Sequence, residues 1–364
     1  MSNYNIDKII RDKTFVLRGK KCNIENPFVP RFVESDYYKI NDCIYKRLRI
    51  ILAGNGCSVP MCTMCPFPNE SINPSYIKFT ADHYIDQISR TLEKYPSHDV
   101  VSIYNDGSFF ADNELQEEAR IKIYKLIKDY RCKYLMVESL PFFITEKKVA
   151  EAKRYLEDKI KLIVGIGLQS SSDEIRQICI RTPVNKEDFL QAYELLKSFN
   201  YDTKSYVLIK PPFVLEDEAI DDVVKSACWL HHHGVEDVTL CPMRIAEGTI
   251  LYELYSLGLY SAPKLTTVAE CLHRLKLLNL YTRVSIFNVS SSDLEALTSS
   301  GCSLCQDKIL SGILDHNNLI DINFNDLLCK NCHEESKKNG ENIFYGLSYN
   351  ERIKIWLRKS DAIN

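Results

Sequence analysis

The sequence predicts an α/β fold: a full or partial (β/α) barrel of the TIM type, followed by a cysteine-rich, metal-binding C-terminal extension. Three observations carry this. Short unbroken apolar runs alternate with amphipathic stretches, polar segments follow successive runs, and two C-x2-C pairs come after the series. The expected strands are Leu48–Ala53, Val100–Tyr104, Tyr134–Glu138, Lys161–Ile166, Tyr206–Ile209, Val238–Leu240 and Arg283–Phe287. Most are rich in Val, Ile and Leu, as strands covered on both faces require. Between them, Ala81–Tyr95, Glu114–Asp129, Glu146–Glu157, Asp173–Ile180, Lys186–Phe199, Glu216–His233 and Thr266–Leu280 place apolar residues at three- and four-residue spacing. Several of these open on Thr, Asp or Ser, the residues that cap helices. Alternation of this kind predicts a parallel sheet with right-handed crossovers. Residues 1–45 read as an N-terminal extension, 46–290 as the barrel and 291–364 as the cysteine-bearing extension.

Composition bounds the function. A chain of 364 residues can bury a substantial core. A formal charge of -3 weighs against a protein that grips a polyanion over a broad surface. The first residues lack the apolar core of a signal peptide, and no run of ~18 apolar residues is present to span a bilayer. A soluble, cytoplasmic protein is the expectation. In a reducing compartment, fourteen cysteines point to thiolate ligands and free thiols more than to disulfides.

Cys57, Cys62 and Cys65 lie in Asn55-Gly-Cys-Ser-Val-Pro-Met-Cys-Thr-Met-Cys-Pro66, directly after the first expected strand. A [4Fe-4S] cube normally takes four thiolates, so three on one loop leave one iron open to a ligand. A zinc site completed by a distant histidine is the other reading of three close cysteines. In a barrel the chemistry sits at the carboxyl ends of the strands, where this loop falls. Tyr104-Asn-Asp-Gly-Ser-Phe109, Glu138-Ser-Leu-Pro141, Gly167-Leu-Gln-Ser-Ser-Ser-Asp173, Lys210-Pro-Pro-Phe213 and Pro242-Met-Arg244 with Glu247-Gly-Thr249 follow later strands. Each is ordinary turn chemistry taken alone; their shared end with the cysteines makes them a candidate rim.

These residues resemble the radical S-adenosylmethionine (SAM) superfamily. The C-x4-C-x2-C spacing is a variant of its usual C-x3-C-x2-C. In order, Gly56-Cys-Ser, Cys62-Thr-Met-Cys65, Asp106-Gly-Ser-Phe109, Val137-Glu-Ser139, Gly167-Leu-Gln-Ser170, Lys210-Pro-Pro-Phe213, Glu218-Ala-Ile-Asp221 and Glu247-Gly-Thr249 resemble the radical-SAM subunits of archaeosine synthase, in the Elp3- and MiaB-like branch. Gln169 stands where that family is expected to carry glutamate, and Ser58-Val-Pro-Met61 lacks an expected tryptophan. The resemblance implies a [4Fe-4S] cluster on Cys57, Cys62 and Cys65 and reductive cleavage of SAM to a 5′-deoxyadenosyl radical that removes a substrate hydrogen. It places Asn105, Asp106, Gly107 and Ser108 at the methionine amine, Glu138 and Ser139 near the ribose, and Gln169 at the cofactor and catalytic centre. Arg181 would meet the SAM carboxylate, or else close a helix end, and Lys210 would point toward substrate. Cys241, at the end of the sixth strand, is a thiol positioned to quench a radical or take sulfur.

Cys302-Ser-Leu-Cys305 and Cys329-Lys-Asn-Cys332 are C-x2-C pairs separated by 23 residues, a four-thiolate metal site. Zinc and a second, auxiliary [4Fe-4S] cluster both suit it. His231-His-His233 reads as a helix end, with Gly234 as its stop. The expected activity is hydrogen abstraction from a nucleoside-type substrate, a modified tRNA base or a free nucleoside or nucleotide. Radical sulfur insertion fed by the auxiliary cluster is one alternative, and a metal-stabilised, non-catalytic tRNA-binding partner is another. The implied partners are a reductant such as flavodoxin or ferredoxin and, given the acidic balance, tRNA reached through a partner subunit.

Overall fold

A single curled sheet of eight strands organises the chain, in the order β1 to β8. The structure, a computed structural model, describes residues 3–18, 26–72, 75–285, 301–335 and 342–362. β1 (Phe32–Ile40) and β2 (Cys43–Ile51) form an antiparallel hairpin across Asn41-Asp42, with Asn41 in the left-handed region at φ 53°. β3 (Val100–Tyr104), β4 (Tyr134–Glu138), β5 (Lys161–Gln169), β6 (Asp202–Ile209), β7 (Asp237–Pro242) and β8 (Arg283–Val284) then add in parallel. The product is a half-barrel. Its edges approach each other at the amino ends of the parallel strands, where Arg283 donates to the Tyr37 carbonyl at 3.2 Å and the Tyr38 hydroxyl donates to Asp237 at 2.9 Å.

The alternating pattern decides the layers. Leu48, Ile50, Val101, Ile103, Leu135, Val137, Leu162 and Val164 face the outer helices and form the main core with them. After α1 (Asn3–Leu17) and the short α2 (Phe67–Glu70), those helices are α3 (Ala81–Lys94), α4 (Glu117–Tyr130), α5 (Glu146–Leu156), α6 (Lys186–Ser198), α7 (Glu216–His232) and α9 (Leu265–Leu277). The intervening residues face the interior, where Tyr38, Ile40, Val100, Met136 and Ile163 form a small apolar cluster, Arg47 is held by both carboxylate oxygens of Asp36 and Arg49 pairs with Glu34. Buried charge is tolerated there because it is paired. Among the described residues no helix is long and apolar enough to cross a membrane.

β3 and β4 have their expected bounds, while β5, β6 and β7 run longer than their apolar runs. Expected residues 286 and 287 of the last strand lie outside the described residues. The Asp173–Ile180 segment is a π-helical turn, Ile175–Ile180, in place of an α-helix. β1 was not anticipated, because its alternate positions carry Glu34 and Asp36, whose partners lie on the next strand.

A second core joins the chain's two ends. α1 (Asn3–Leu17) supplies Ile6 and Ile10, and α12 (Tyr349–Asp361) supplies Ile353, Trp356 and Leu357. They meet Phe213 and the short helix α8 (Ile250–Ser256) near the rim. Arg352 clamps this packing through two 2.6 Å bonds to Glu218 and one of 2.7 Å to the Phe213 carbonyl.

Candidate functional site

The loop after β2 is held in place from several sides. Asn55 donates to the Ile77 carbonyl at 2.9 Å and accepts from Phe79 N at 3.2 Å. Gly56 has φ +71°, and a Cβ there would lie 1.9 Å from Ser71 Oγ, so no other residue fits. Thr63, between Cys62 and Met64, is almost wholly buried. Its hydroxyl donates to the Cys179 carbonyl at 2.6 Å, its N–H to Ile180 O at 2.9 Å, and its carbonyl accepts from Ile250 N at 3.0 Å. The middle of the cysteine motif is thereby tied to the π-helical turn and to the start of α8.

Glu114 binds this loop to the next rim segment. Its carboxylate accepts from Ser58 N at 2.7 Å, from Ser58 Oγ at 2.6 Å and from Ser108 N. Burial raises its pKa and these donors oppose the rise. Gly107 sits between the two segments: a Cβ there would fall 2.1 Å from Glu114 Oε2 and 3.1 Å from Cys57 N. The Asp106-Gly107-Ser108 turn therefore packs directly on the cysteine loop. Arg18, just past α1, donates to the Cys62 carbonyl at 2.5 Å, and its buried guanidinium lies in the field of all three loop cysteines. Burial raises all three thiol pKa values, Cys57 to about 12, so binding a metal there requires release of protons.

The rim residues separate by what they touch. Asn105 is buried with its Oδ1 unpartnered. The Asp106 carboxylate is taken by Arg31, which also reaches Glu70 at 3.1 Å, and Arg244 joins Glu70 at 2.6 Å. Ser108 Oγ accepts from Leu140 N at 3.1 Å, and Ser139 N donates to Gly165 O at 3.0 Å. Glu138 accepts from the Tyr206 hydroxyl at 2.5 Å, and burial pushes its pKa up. Gln169 sits at a β-bulge with φ 69° and a buried, unpartnered Oε1. Cys241 is half-buried at the end of β7, its thiol pushed up to about 12 by burial. Lys204, below this level, is pushed down to about 8 by burial and lies 4.7 and 4.9 Å from the ring centres of Tyr38 and Tyr206.

Two expected ligand-binding residues have other occupations. The Lys210 ammonium donates to Glu216 at 2.6 Å and to the Ser261 carbonyl at 2.9 Å, beside Phe213 and the second core. Arg181 closes the π-helical turn at φ 57° and pairs with Asp7 of α1 at 2.8 Å. Glu114, Arg18, Arg31 and Glu70 also belong to the site. All four act across long separations that no local pattern signals.

Residues 51–227 match the family model of the radical SAM superfamily. Over 270 residues the chain is 32% identical to an uncharacterized protein of Methanocaldococcus jannaschii, covering 71% of this chain and 72% of that one. The chain is a radical SAM protein. It is also 30% identical over 244 residues to archaeosine synthase subunit beta of Methanosarcina acetivorans, covering 65% of this chain and 69% of that one. The archaeal Elp3 structure from Methanocaldococcus infernus aligns at a TM-score of 0.48 and 17% identity, over 69% of this chain and 60% of that one.

Radical SAM membership implies a [4Fe-4S] cluster and SAM, and the residues present fit both. Three thiol donors on one pinned loop are the donor set that leaves one iron open. On the rim, just after β3 and at the last residue of β5, the buried Asn105 Oδ1 and Gln169 Oε1 lack partners, which is costly unless a ligand supplies a donor. Gly107 keeps the approach between the turn and the loop clear of a side chain. In the C-terminal region of this radical SAM protein, Cys302, Cys305, Cys329 and Cys332 form a group suited to a metal ion.

Proposed function

We propose that this radical SAM enzyme acts on a nucleoside-type substrate, a modified tRNA base or a free nucleoside or nucleotide, by hydrogen abstraction. When bound, the cluster and SAM supply reductive cleavage of the sulfonium C–S bond and a carbon radical able to remove a hydrogen atom. The observation that carries the reading is the Cys57, Cys62 and Cys65 loop, locked against the Asp106-Gly107-Ser108 turn through Glu114. Similarity to archaeosine synthase subunit beta supports a tRNA-related substrate. With a net charge of -3, contact with tRNA falls to a partner subunit, and a flavodoxin- or ferredoxin-type reductant supplies the electron.

Each residue has a role in this reading. Cys57, Cys62 and Cys65 hold the cluster. The backbone of residues 106–108 and the free Asn105 Oδ1 accept the methionine amine, since the Asp106 carboxylate is engaged with Arg31. Glu138 and Ser139 meet the ribose, with Glu138 steadied by Tyr206, and Gln169 Oε1 accepts from SAM or substrate. Cys241 stays a protonated thiol at neutral pH because burial raises its pKa, so it can give a hydrogen atom to a substrate radical, the thiyl left behind being restored by one electron from the reductant and a solvent proton. Lys210 and Arg181 position neighbouring segments.

Anaerobic reconstitution with iron and sulfide, followed by reduction with SAM, tests the reading. Wild type should release 5′-deoxyadenosine, more so with unfractionated archaeal tRNA and a partner subunit. A Cys57→Ala, Cys62→Ala, Cys65→Ala variant should release none. Equal release from that variant refutes the cluster assignment; release unaffected by tRNA or nucleosides, but raised by a non-nucleoside metabolite, refutes the substrate class.

A further inference from the structure

The C-terminal cysteines are brought together from two C-x2-C turns separated by 23 residues. Cys302 precedes α10 (Gln306–Asn317), Cys305 caps it, Cys329 follows the 3-10 turn Phe324–Leu327, and Cys332 lies in α11 (Lys330–Glu335). All four Sγ atoms lie within 4.8 Å of one another. Cys302 and Cys329 are 3.7 Å apart, Cys302 and Cys332 3.3 Å. Every one of the four is a free thiol, and these separations are well beyond the ~2.05 Å of a disulfide bond.

Distance decides what such a set can hold. A tetrahedral ion with metal–sulfur bonds of ~2.3 Å sets its sulfurs roughly 3.8 Å apart. In a cube each thiolate binds a different iron, which pushes the cysteine sulfurs out to roughly 6 Å, and a two-iron cluster has the same problem across its long axis. No pair here reaches that separation. Cys329 N–H also donates to Cys305 Sγ at 2.9 Å, a backbone bond that relieves thiolate charge around an ion.

We infer that Cys302, Cys305, Cys329 and Cys332 bind one tetrahedral zinc ion, and that this ion is a clamp closing the open edge of the half-barrel. α10 lies along that edge: Asn317 accepts from Val284 N at 2.9 Å and donates to Val284 O at 2.8 Å, doing for β8 what a ninth strand would do. Ile309, Ile313 and Phe324 carry the clamped segment into the main core. Four thiolates on one ion hold α10 to the 3-10 turn and α11, so the edge stays covered. A single ion contains no sulfide, which removes this site as a source of sulfur for insertion chemistry. The inference is independent of the proposed substrate.

The test is metal analysis of the full chain, with no turnover needed. The Cys57→Ala, Cys62→Ala, Cys65→Ala variant, reconstituted anaerobically with iron and sulfide, should hold about one zinc per chain and no iron–sulfur signal by Mössbauer spectroscopy. About four iron atoms with sulfide in that variant would overturn the inference. Protein grown with cobalt should show the intense visible bands of tetrahedral cobalt on four thiolates; octahedral or absent bands refute it. In a Cys329→Ser, Cys332→Ser variant zinc should fall below one tenth of wild type while first-site iron is retained, and amide exchange at Val284 should quicken. Zinc unchanged in that variant places the ion elsewhere.

Discussion

Replacing Glu114 by glutamine isolates the contact that joins the cysteine loop to the SAM-side turn. The carboxylate has only acceptor oxygens, and it meets three donors: Ser58 N and Oγ on Oε1, and Ser108 N on Oε2. An amide offers one oxygen and one NH2 group. Whichever way it turns, one backbone N–H, that of exposed Ser58 or that of buried Ser108, faces another donor. Losing a charge-assisted bond costs about 1.5 to 3 kcal/mol, and an unsatisfied buried donor about 1 to 3 kcal/mol. The two overlap, Ser58 is open to water, and the neutral amide relieves the burial cost that raises the Glu114 pKa, so Glu114→Gln should destabilise the metal-free chain by about 1 to 2 kcal/mol. Because Ser58 adjoins Cys57, iron retained at the first site should fall as well. Urea denaturation of the metal-free protein and iron counts after reconstitution measure the two effects. A midpoint change worth under about 0.5 kcal/mol, with full iron content, refutes Glu114 as the anchor.

Other perturbations have directions set by the structure. Gly56→Ala combines an unfavourable φ of +71° with a 1.9 Å overlap on Ser71 Oγ, and should reduce first-site iron severely without altering zinc; iron counting reads this out. Asp222 is buried, with its pKa raised to about 6 by burial. A raised carboxylate contributes stability that is full below its unfolded pKa and is lost as pH rises through about 6. Asp222→Asn, which retains an acceptor for Ser170, should change little at pH 4 and stabilise the protein by at most about 3 kcal/mol at pH 8, by thermal melts across pH. Arg352→Ala removes the buried clamp on Glu218 and Phe213 and should cost about 3 to 5 kcal/mol. It should also undock α12, seen as red-shifted fluorescence from Trp356, one of two tryptophans.

The parallel strands were legible because their outward faces are apolar and their spacing leaves room for helices. β1 was not, because two of its interior positions are charged: Glu34 and Asp36 pair with Arg49 and Arg47 on the next strand. Glu114 looked like the opening residue of a helix, but α4 begins at Glu117 and the carboxylate reaches back 56 positions to Ser58. Lys210-Pro-Pro-Phe213 was legible as a motif, and its service to packing was not. Phe213 packs edge-on against Trp356 at 5.8 Å, a contact made only when the chain's far end returns.

By itself the sequence determined the candidate ligands, three thiols after one strand and four more in two close pairs, and an alternation that predicts a mostly parallel α/β sheet. Local spacing suffices for these because ligand type and strand period are properties of short segments. Tertiary structure decided which charges are already engaged, giving Lys210 to Glu216, Arg181 to Asp7 and Asp106 to Arg31, and leaving Asn105 and Gln169 with free acceptors. It also carries the inference of a single ion at the second cysteine group, because the gap between sulfurs separated by 23 residues of chain is set by how α10 and α11 pack.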